Sequence, residues 1–587
     1  MRKSWRRVAA GPRTGFREGV FVCLVSHFLT RFFTGELTAE HSDLRLGMGV
    51  ILALLALPGA FVSILLTPKY SSLIRWLERL PPVDYKTFSI PDKYMLVAYT
   101  TTVTGLVAVV IWDRLFPDRL DHANLAPLPV GMGRMFLAKL TALTLFFTLV
   151  VVALNLGSGA LFPLQVEGNQ PNLGPLVRMM LTHMTATAAA GFLAFFGVFG
   201  LVGLLTLVVP GRGFRPISFA FQLIATVALV LVLFATPEVE ALLPQVTAGG
   251  HAVLGWLPTV WFLGLYQDML GGATPATHTL AVRAVTALFA VGGASLALYL
   301  ASYRRCVRRI RDSEEPGAKE PGRMLTFVVR WFDRFALNRP FDRACFHFGM
   351  STLLRNRRHR LLMAGFAGLG MAVALQDAAA SRGSVANASL STPPSALLAA
   401  PLAILFFLAT GMRFVFVLPA ELPANWTFRM AVRARAGAAR RVARKLMQAL
   451  VAPIAIISLV VYAAGWGARI GVAVATFVLL ASLVLCEALL VDYAKIPFTS
   501  SYAGPKHNLG VTLAVYLLAS VLFCYGLARL EHWALEVAGP VPFLVLVALL
   551  AASWTGLAYL AKMRDRSGDQ IVFADEAEPV LLSMDLR

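Results

Sequence analysis

The chain has 587 residues, 57% of them hydrophobic and only 14% charged, and its mean hydropathy is +0.69. That balance excludes a water-soluble domain of ordinary composition. The net charge of +21 does not imply nucleic acid, because the basic residues are gathered in particular loops, as membrane topology requires.

The elements follow in chain order. Met1–Arg7 (MRKSWRR) is basic, and FVCLVSHFL after it resembles the core of a signal peptide. Arg17, Glu18 and Arg31 interrupt that pattern and no A-x-A site follows, so the segment is expected to lie in the membrane interface as an amphipathic helix. A helix crosses a bilayer with ~20 apolar residues. Such runs occur at Leu46–Pro68, Tyr94–Trp112, Leu140–Phe162, Met179–Pro210, Pro216–Thr236 and Ala284–Tyr303. A second set occurs at Leu361–Leu375, Pro393–Met412, Leu446–Trp466, Ile470–Leu490, Leu509–Leu527 and Val541–Leu560. Leu361–Leu375 is the weakest, being short and rich in glycine. The expected fold is therefore an all-α polytopic membrane protein, with about twelve transmembrane helices in two pseudo-repeated six-helix halves.

The expected domains are a first half at 1–303, a basic linker at 304–340, a second half at 341–562 and a tail at 563–587. Arg304–Arg360 carries 15 Lys and Arg against 6 Asp and Glu, and Arg413–Lys445 carries 8 against 1. Pro237–Val282 has Glu238, Glu240 and Asp268 with no Lys or Arg. The positive-inside rule puts the basic loops and both termini in the cytoplasm, as expected of a bacterial inner-membrane protein. Lys69–Asp92 disagrees, since Lys69, Arg75, Arg79 and Lys86 lie in a loop expected outside. Between the fifth and sixth runs, HAVLGWLPTVWFLGLYQDMLGG contains Trp256, Trp261, Phe262 and Tyr266. These residues suggest a short helix settled in the outer membrane interface. The five cysteines have no C-x-x-C spacing, so neither a disulfide framework nor a zinc site is expected.

No G-x-x-x-x-G-K-[ST] loop is present, so the chain is not expected to be an enzyme that hydrolyses nucleotide, and no metal or catalytic site is expected. Intramembrane ionisable groups are costly and each needs a reason. Glu487, in LVLCEALLVDY, either pairs with a nearby basic residue or forms a polar site for substrate or protons. Arg178 and His183 open the fourth run and suit an interfacial role. No span shows the chain of carboxylates expected of a proton-driven carrier.

One polar segment occurs twice. Trp112–Lys139 reads WDRLFPDRLDHANLAPLPVGMGRMFLAK, and Arg413–Lys445 reads RFVFVLPAELPANWTFRMAVRARAGAARRVARK. Each follows the second apolar run of its half, breaks at a proline, and ends in a lysine at the foot of the third. Asp113, Arg114, Asp118, Arg119 and Asp121, then Pro127 and Pro129 in LAPLP, then Arg134 and Lys139 resemble the segment after the second span of type-2 (ABC-2) ABC exporter permeases. In that family the segment is a coupling helix seated in a groove of the ATPase. The second copy offers Glu421, Asn425, Arg429 and Lys445 but lacks LPLP and is more basic. KIPFTSSYAGPKHN at Lys495–Asn508 is a further expected cytoplasmic contact. The resemblance implies a fused permease that docks two copies of a separate ATPase. That partner would hold ATP and magnesium, and this chain would bind no cofactor. Membrane lipid is the other expected partner. A twelve-span secondary carrier, or an integral membrane protein without transport activity, stays open beside this reading.

Overall fold

The computed structural model describes residues 13–33, 44–71, 88–116, 131–167, 173–247, 250, 254–272, 274–312, 339–381, 392–418, 436–491, 493, 495–499, 509–537 and 540–566. Among these residues the only regular secondary structure is helix. Ten helices among the described residues are long and apolar enough to cross a membrane. The chain is thus a polytopic integral membrane protein. The glycine-rich run at Leu361–Leu375 lies within one of the ten, His359–Ala380. The runs at Leu46–Pro68 and Leu509–Leu527 are not among the ten; they fall in a helix at Leu44–Leu65 and in one that begins at Leu509 and is broken by a π turn.

Two compact units divide the chain. The first comprises 1–225 and 232–316, the second 226–231 and 317–587. Unit 1 contains α1 (Arg13–Phe33), α2 (Leu44–Leu65), α3 (Ile90–Val110), α4 (Met132–Glu167), α5 (Leu173–Val208), α6 (Gly211–Phe234, its middle grouping with unit 2), α7 (Thr236–Thr247), α8 (Pro258–Met269) and α9 (Pro275–Asp312). Unit 2 contains α10 (Pro340–Arg355), α11 (Arg357–Ala380), α12 (Ser395–Val415), α13 (Ala436–Trp466), α14 (Ala468–Leu490), α15 (Leu509–Val521), α16 (Leu527–Glu536) and α17 (Val541–Arg566). A π turn at Leu522–Gly526 joins α15 to α16. Proline opens α3, α8 and α10, where its missing N–H costs nothing.

In unit 1, α1 packs on α4, α3 on both α4 and α5, α4 on α5, α5 on α9, and α8 between α3 and α9. In unit 2, α10 packs on α13, α12 on both α13 and α14, α13 on α14, α14 on α17, and α16 between α12 and α17. The first long helix differs: α2 lies against α4, whereas α11 lies against α12.

Lipid tails supply no hydrophobic drive between helices, so close packing must hold them together. In unit 1 small residues permit it. A Cβ on Gly200 of α5 would collide with Ser295 of α9, and one on Gly264 of α8 with Leu280. Aromatic rings fill the rest. Phe147 stacks on Phe195 at 3.9 Å between centroids, Phe195 on Phe199 at 5.5 Å, and Phe199 meets Tyr299 at 4.7 Å. Tyr299 then meets Phe116 at 4.8 Å, so this column ends just beyond α3. In unit 2 the central helix is α12. Leu398, Leu402, Leu405, Ala409 and Met412 are all buried, and their alternating spacing of four and three makes one continuous helical face. Gly467 turns the corner between α13 and α14 at φ 89°, in the left-handed region that glycine adopts freely.

Candidate functional site

The two polar elbows are anchored at their beginnings. After α3 the chain makes a tight turn at Trp112–Arg114. Trp112 is 1% exposed and donates from Nε1 to Ser218 Oγ at 2.9 Å. Arg114 donates to the Arg31 carbonyl at 3.0 Å, tying the turn to α1. Lys139, about two turns inside α4, is 3% exposed. It donates to the Phe116 carbonyl at 2.8 Å, and its ammonium lies 5.3 Å from the centre of the Phe28 ring. That carbonyl sits past the end of α3 with no helical donor, and the lysine supplies one. Lys139 was expected on the docking surface; the structure instead puts it inside the unit, where it holds the foot of the elbow.

The second foot is built by different residues. Phe498 N donates to the Phe416 carbonyl at 3.1 Å, and His359 Nε2 donates to the Leu418 carbonyl at 3.1 Å. The Phe498 ring stands edge-on to Phe416 and to His359 at 5.5 and 5.0 Å. Phe498 has φ 67°, a strained backbone for a bulky residue, held by this packing. Arg413 donates to the Leu489 carbonyl at 3.0 Å and lies over the Tyr493 ring at 4.9 Å. Lys445, also expected on the docking surface, faces Asp342 of α10 at 3.2 Å, as does Arg441 at 3.5 Å. Asp342 is almost fully buried, so these pairs fasten α10 to α13. Burial, with Asp342 adding to it, pushes the nearby Cys345 thiol up to about 12.

Among the other residues expected at the docking surface, Arg134 is exposed and Asp113 lies in the turn after α3. Asp118, Arg119, Asp121, Pro127, Pro129, Glu421, Asn425 and Arg429 lie outside the described residues. The two readings of Glu487 are separated by geometry. It is 1% exposed and its Oε1 accepts from Arg444 at 2.7 Å, so it is a paired structural carboxylate joining α14 to α13.

A second polar cluster lies at the opposite end of unit 1 and was not foreseen. Asp92, in the first turn of α3, accepts from Lys69 at 2.6 Å and from the Tyr70 hydroxyl. Burial and that carboxylate push the Tyr70 hydroxyl far above the ordinary phenol range. These contacts give Lys69 a place in the loop that the charge rule could not accommodate. Lys93 is fully buried, 5.4 Å over the Tyr266 ring. His183 Nδ1 lies 3.3 Å from Tyr266 Oη, and its Nε2 lies 3.2 Å from Ser158 Oγ. Tyr94 bonds Thr259 at 3.1 Å, and Arg178 donates twice to the Met269 carbonyl.

Two sequence expectations change here. His183 is buried, not interfacial, and Phe262 and Tyr266 point into the unit; of this aromatic group Trp256 is the exposed one, at 74%. Ser158, His183 and Tyr266 have the spacing of a nucleophile and its base, but all three are at most 1% exposed and a substrate has no access. The cluster therefore fastens α8 to α3, α4 and α5. A buried polar group costs free energy unless it is satisfied, so such a network specifies one packing. No sequence signal links Ser158 or Tyr266 to His183; only a lone histidine in an apolar run hints at buried partners. Among the described residues no group of three His, Cys, Asp or Glu could hold a metal ion. No protein-family profile, curated protein or solved structure matches the chain.

Proposed function

We propose that the chain is the membrane permease of an ATP-driven exporter of the ABC-2 type. Its two units would be repeats of six spans each, and the elbows would be cytoplasmic docking points for two copies of a separate ATPase. The observation that carries this reading is the rigid foot beneath each elbow. Lys139 holds the Phe116 carbonyl, while His359 and Phe498 hold the Leu418 and Phe416 carbonyls. A docking segment can transmit force only if it leaves the membrane from a fixed point, and each elbow starts from buried, hydrogen-bonded backbone. The shared packing scheme of the two units supports duplication, and the aromatic column ending at Phe116 offers a stiff path from the first elbow into the spans.

In this reading, closure of the ATPase pair pushes the elbows and switches the spans between two conformations. The chain supplies the pathway and the partner supplies hydrolysis. The test is co-purification with a P-loop ATPase encoded beside this gene, together with that ATPase's stimulated turnover. Asp118→Ala with Arg119→Ala, and Glu421→Ala with Arg429→Ala, should each weaken association. A charge-assisted contact contributes roughly 1.5–3 kcal/mol, so each pair should cost about tenfold or more in affinity. Unchanged association and turnover in a variant with both elbows altered would reject the docking role.

A further inference from the structure

Among the described residues, unit 2 buries two carboxyl groups without a countercharge. Glu531 of α16 is 0% exposed, and neither of its oxygens has a hydrogen-bond partner. Asp377, near the end of α11, is 7% exposed. Its Oδ1 accepts from the Tyr525 hydroxyl at 3.1 Å, while Oδ2 has no partner. Tyr525 belongs to the π turn, an irregularity that in helices is frequent at functional sites. Among the described residues, the buried carboxylates Asp92, Asp342 and Glu487 each face a lysine or arginine. Glu531 and Asp377 do not, nor does Glu167 at the end of α4, which is 8% exposed.

The surroundings of the two groups are otherwise neutral. From α13, the Tyr462 hydroxyl donates to the Leu397 carbonyl at 2.7 Å. The π turn contributes Cys524 and Tyr525. α12 carries no titratable group before Arg413, and α17 none before Tyr559. On α16 itself, Arg529 and Glu536 are exposed. His532 there donates from Nδ1 to the Pro393 carbonyl at 3.0 Å and faces Glu536 at 3.2 Å.

All of these groups converge on α12. The π turn and α16 pack on it, as does α11, which carries Asp377. Tyr462 and His532 bond to carbonyls at its start. The same helix runs on to Arg413 and the foot of the second elbow.

An unpaired carboxylate buried this completely would forfeit its hydration with nothing to replace it. A neutral carboxylic acid does not, and burial accordingly pushes the Glu531 carboxyl well above its ordinary range. We propose that Glu531 is a proton-binding site of the permease, holding a proton while α16 is packed on α12 and releasing it to water when they separate. Proton binding would then bias α12, and through it the second elbow. A metal ion does not suit the site, because the cluster lacks the several ligands that such ions require.

The inference does not depend on the ATPase reading, since its test uses the permease alone. The full chain in detergent is treated with dicyclohexylcarbodiimide, which attacks protonated carboxyl groups in apolar surroundings, and adducts are mapped by mass spectrometry. At neutral pH the Glu531 peptide should be labelled and the exposed Glu536 should not. Labelling should fall about tenfold for each pH unit beyond the titration midpoint and vanish in Glu531→Gln. Because the reagent must reach a buried group, infrared spectroscopy provides a second measurement. A protonated-carboxyl band that shifts in heavy water and is missing in Glu531→Gln supports the site just as the adduct does. Absence of both the adduct and the band overturns it.

Discussion

Arg444→Met should open the elbow-side end of α14 far more than removal of the whole Arg444–Glu487 pair. Glu487 is 1% exposed in its side chain, while Arg444 is 31% exposed and 2.7 Å away. Deleting one partner of a buried ion pair costs about 3–5 kcal/mol, because the other charge is left buried. Water partly reaches Arg444, so the lower figure, about 3 kcal/mol, applies here. That corresponds to roughly a hundredfold change in the local opening equilibrium. Glu487→Gln should be milder, since the freed guanidinium can turn toward water. Arg444→Met with Glu487→Met should come close to the parent, as apolar replacements of buried pairs often do. Cys486 is adjacent to Glu487 and fully buried, which makes it a local reporter. With Cys23, Cys306, Cys345 and Cys524 replaced by alanine, maleimide labelling of Cys486 should be about a hundredfold faster in Arg444→Met. The double variant should label within about tenfold of the parent. If Arg444→Met labelled no faster than the double variant, the pair would not be what holds α14 to α13.

Three further outcomes are expected. Lys139→Met should leave the Phe116 carbonyl unpaired and loosen the first elbow, seen as faster proteolysis within 117–130, while α4 itself stays helical by circular dichroism. A cysteine at Trp256, which is 74% exposed, should react with an impermeant maleimide added outside sealed cells, whereas one at Ala318 should not; the reverse pattern would invert the proposed orientation. Glu240 of α7 has its carboxyl raised above the ordinary 4.5 by burial and by Asp92, against the smaller opposing effect of Lys69. Its native form therefore binds protons more tightly than its unfolded form, and unit 1 should lose stability as pH rises from that ordinary value through the raised one. Thermal unfolding measured across this window should be flatter in Glu240→Gln, and an unchanged pH slope would remove Glu240 as its source.

The sequence on its own is enough to establish the class of molecule. Runs of ~20 apolar residues can only be buried in lipid as helices, because every backbone polar group must be satisfied within the segment. The elbows were legible for the same reason: a charged, proline-broken stretch cannot remain in the bilayer. Leu361–Leu375 read as weak because its glycines lower the local hydropathy. In the fold such a glycine is what permits contact, as a Cβ on Gly370 would lie 2.9 Å from Ile404 Cα of α12.

Which charges face inward was decided only by tertiary structure. Lys139 and Lys445 look like surface residues at the foot of a helix, yet one holds a carbonyl of its own elbow and the other a buried aspartate. His183 meets Tyr266 across 83 positions and Ser158 across 25, distances at which local sequence carries no signal. Glu531 did leave a trace. It falls in register with Ala528 and Ala534, three positions away on either side, and all three are buried. Hydropathy averages over a window, and so records how apolar a helix is without recording which way each residue points. Rotation about the helix axis is set by the neighbours that pack against it, and that rotation is what buries Glu531 with no countercharge while giving Glu487 an arginine.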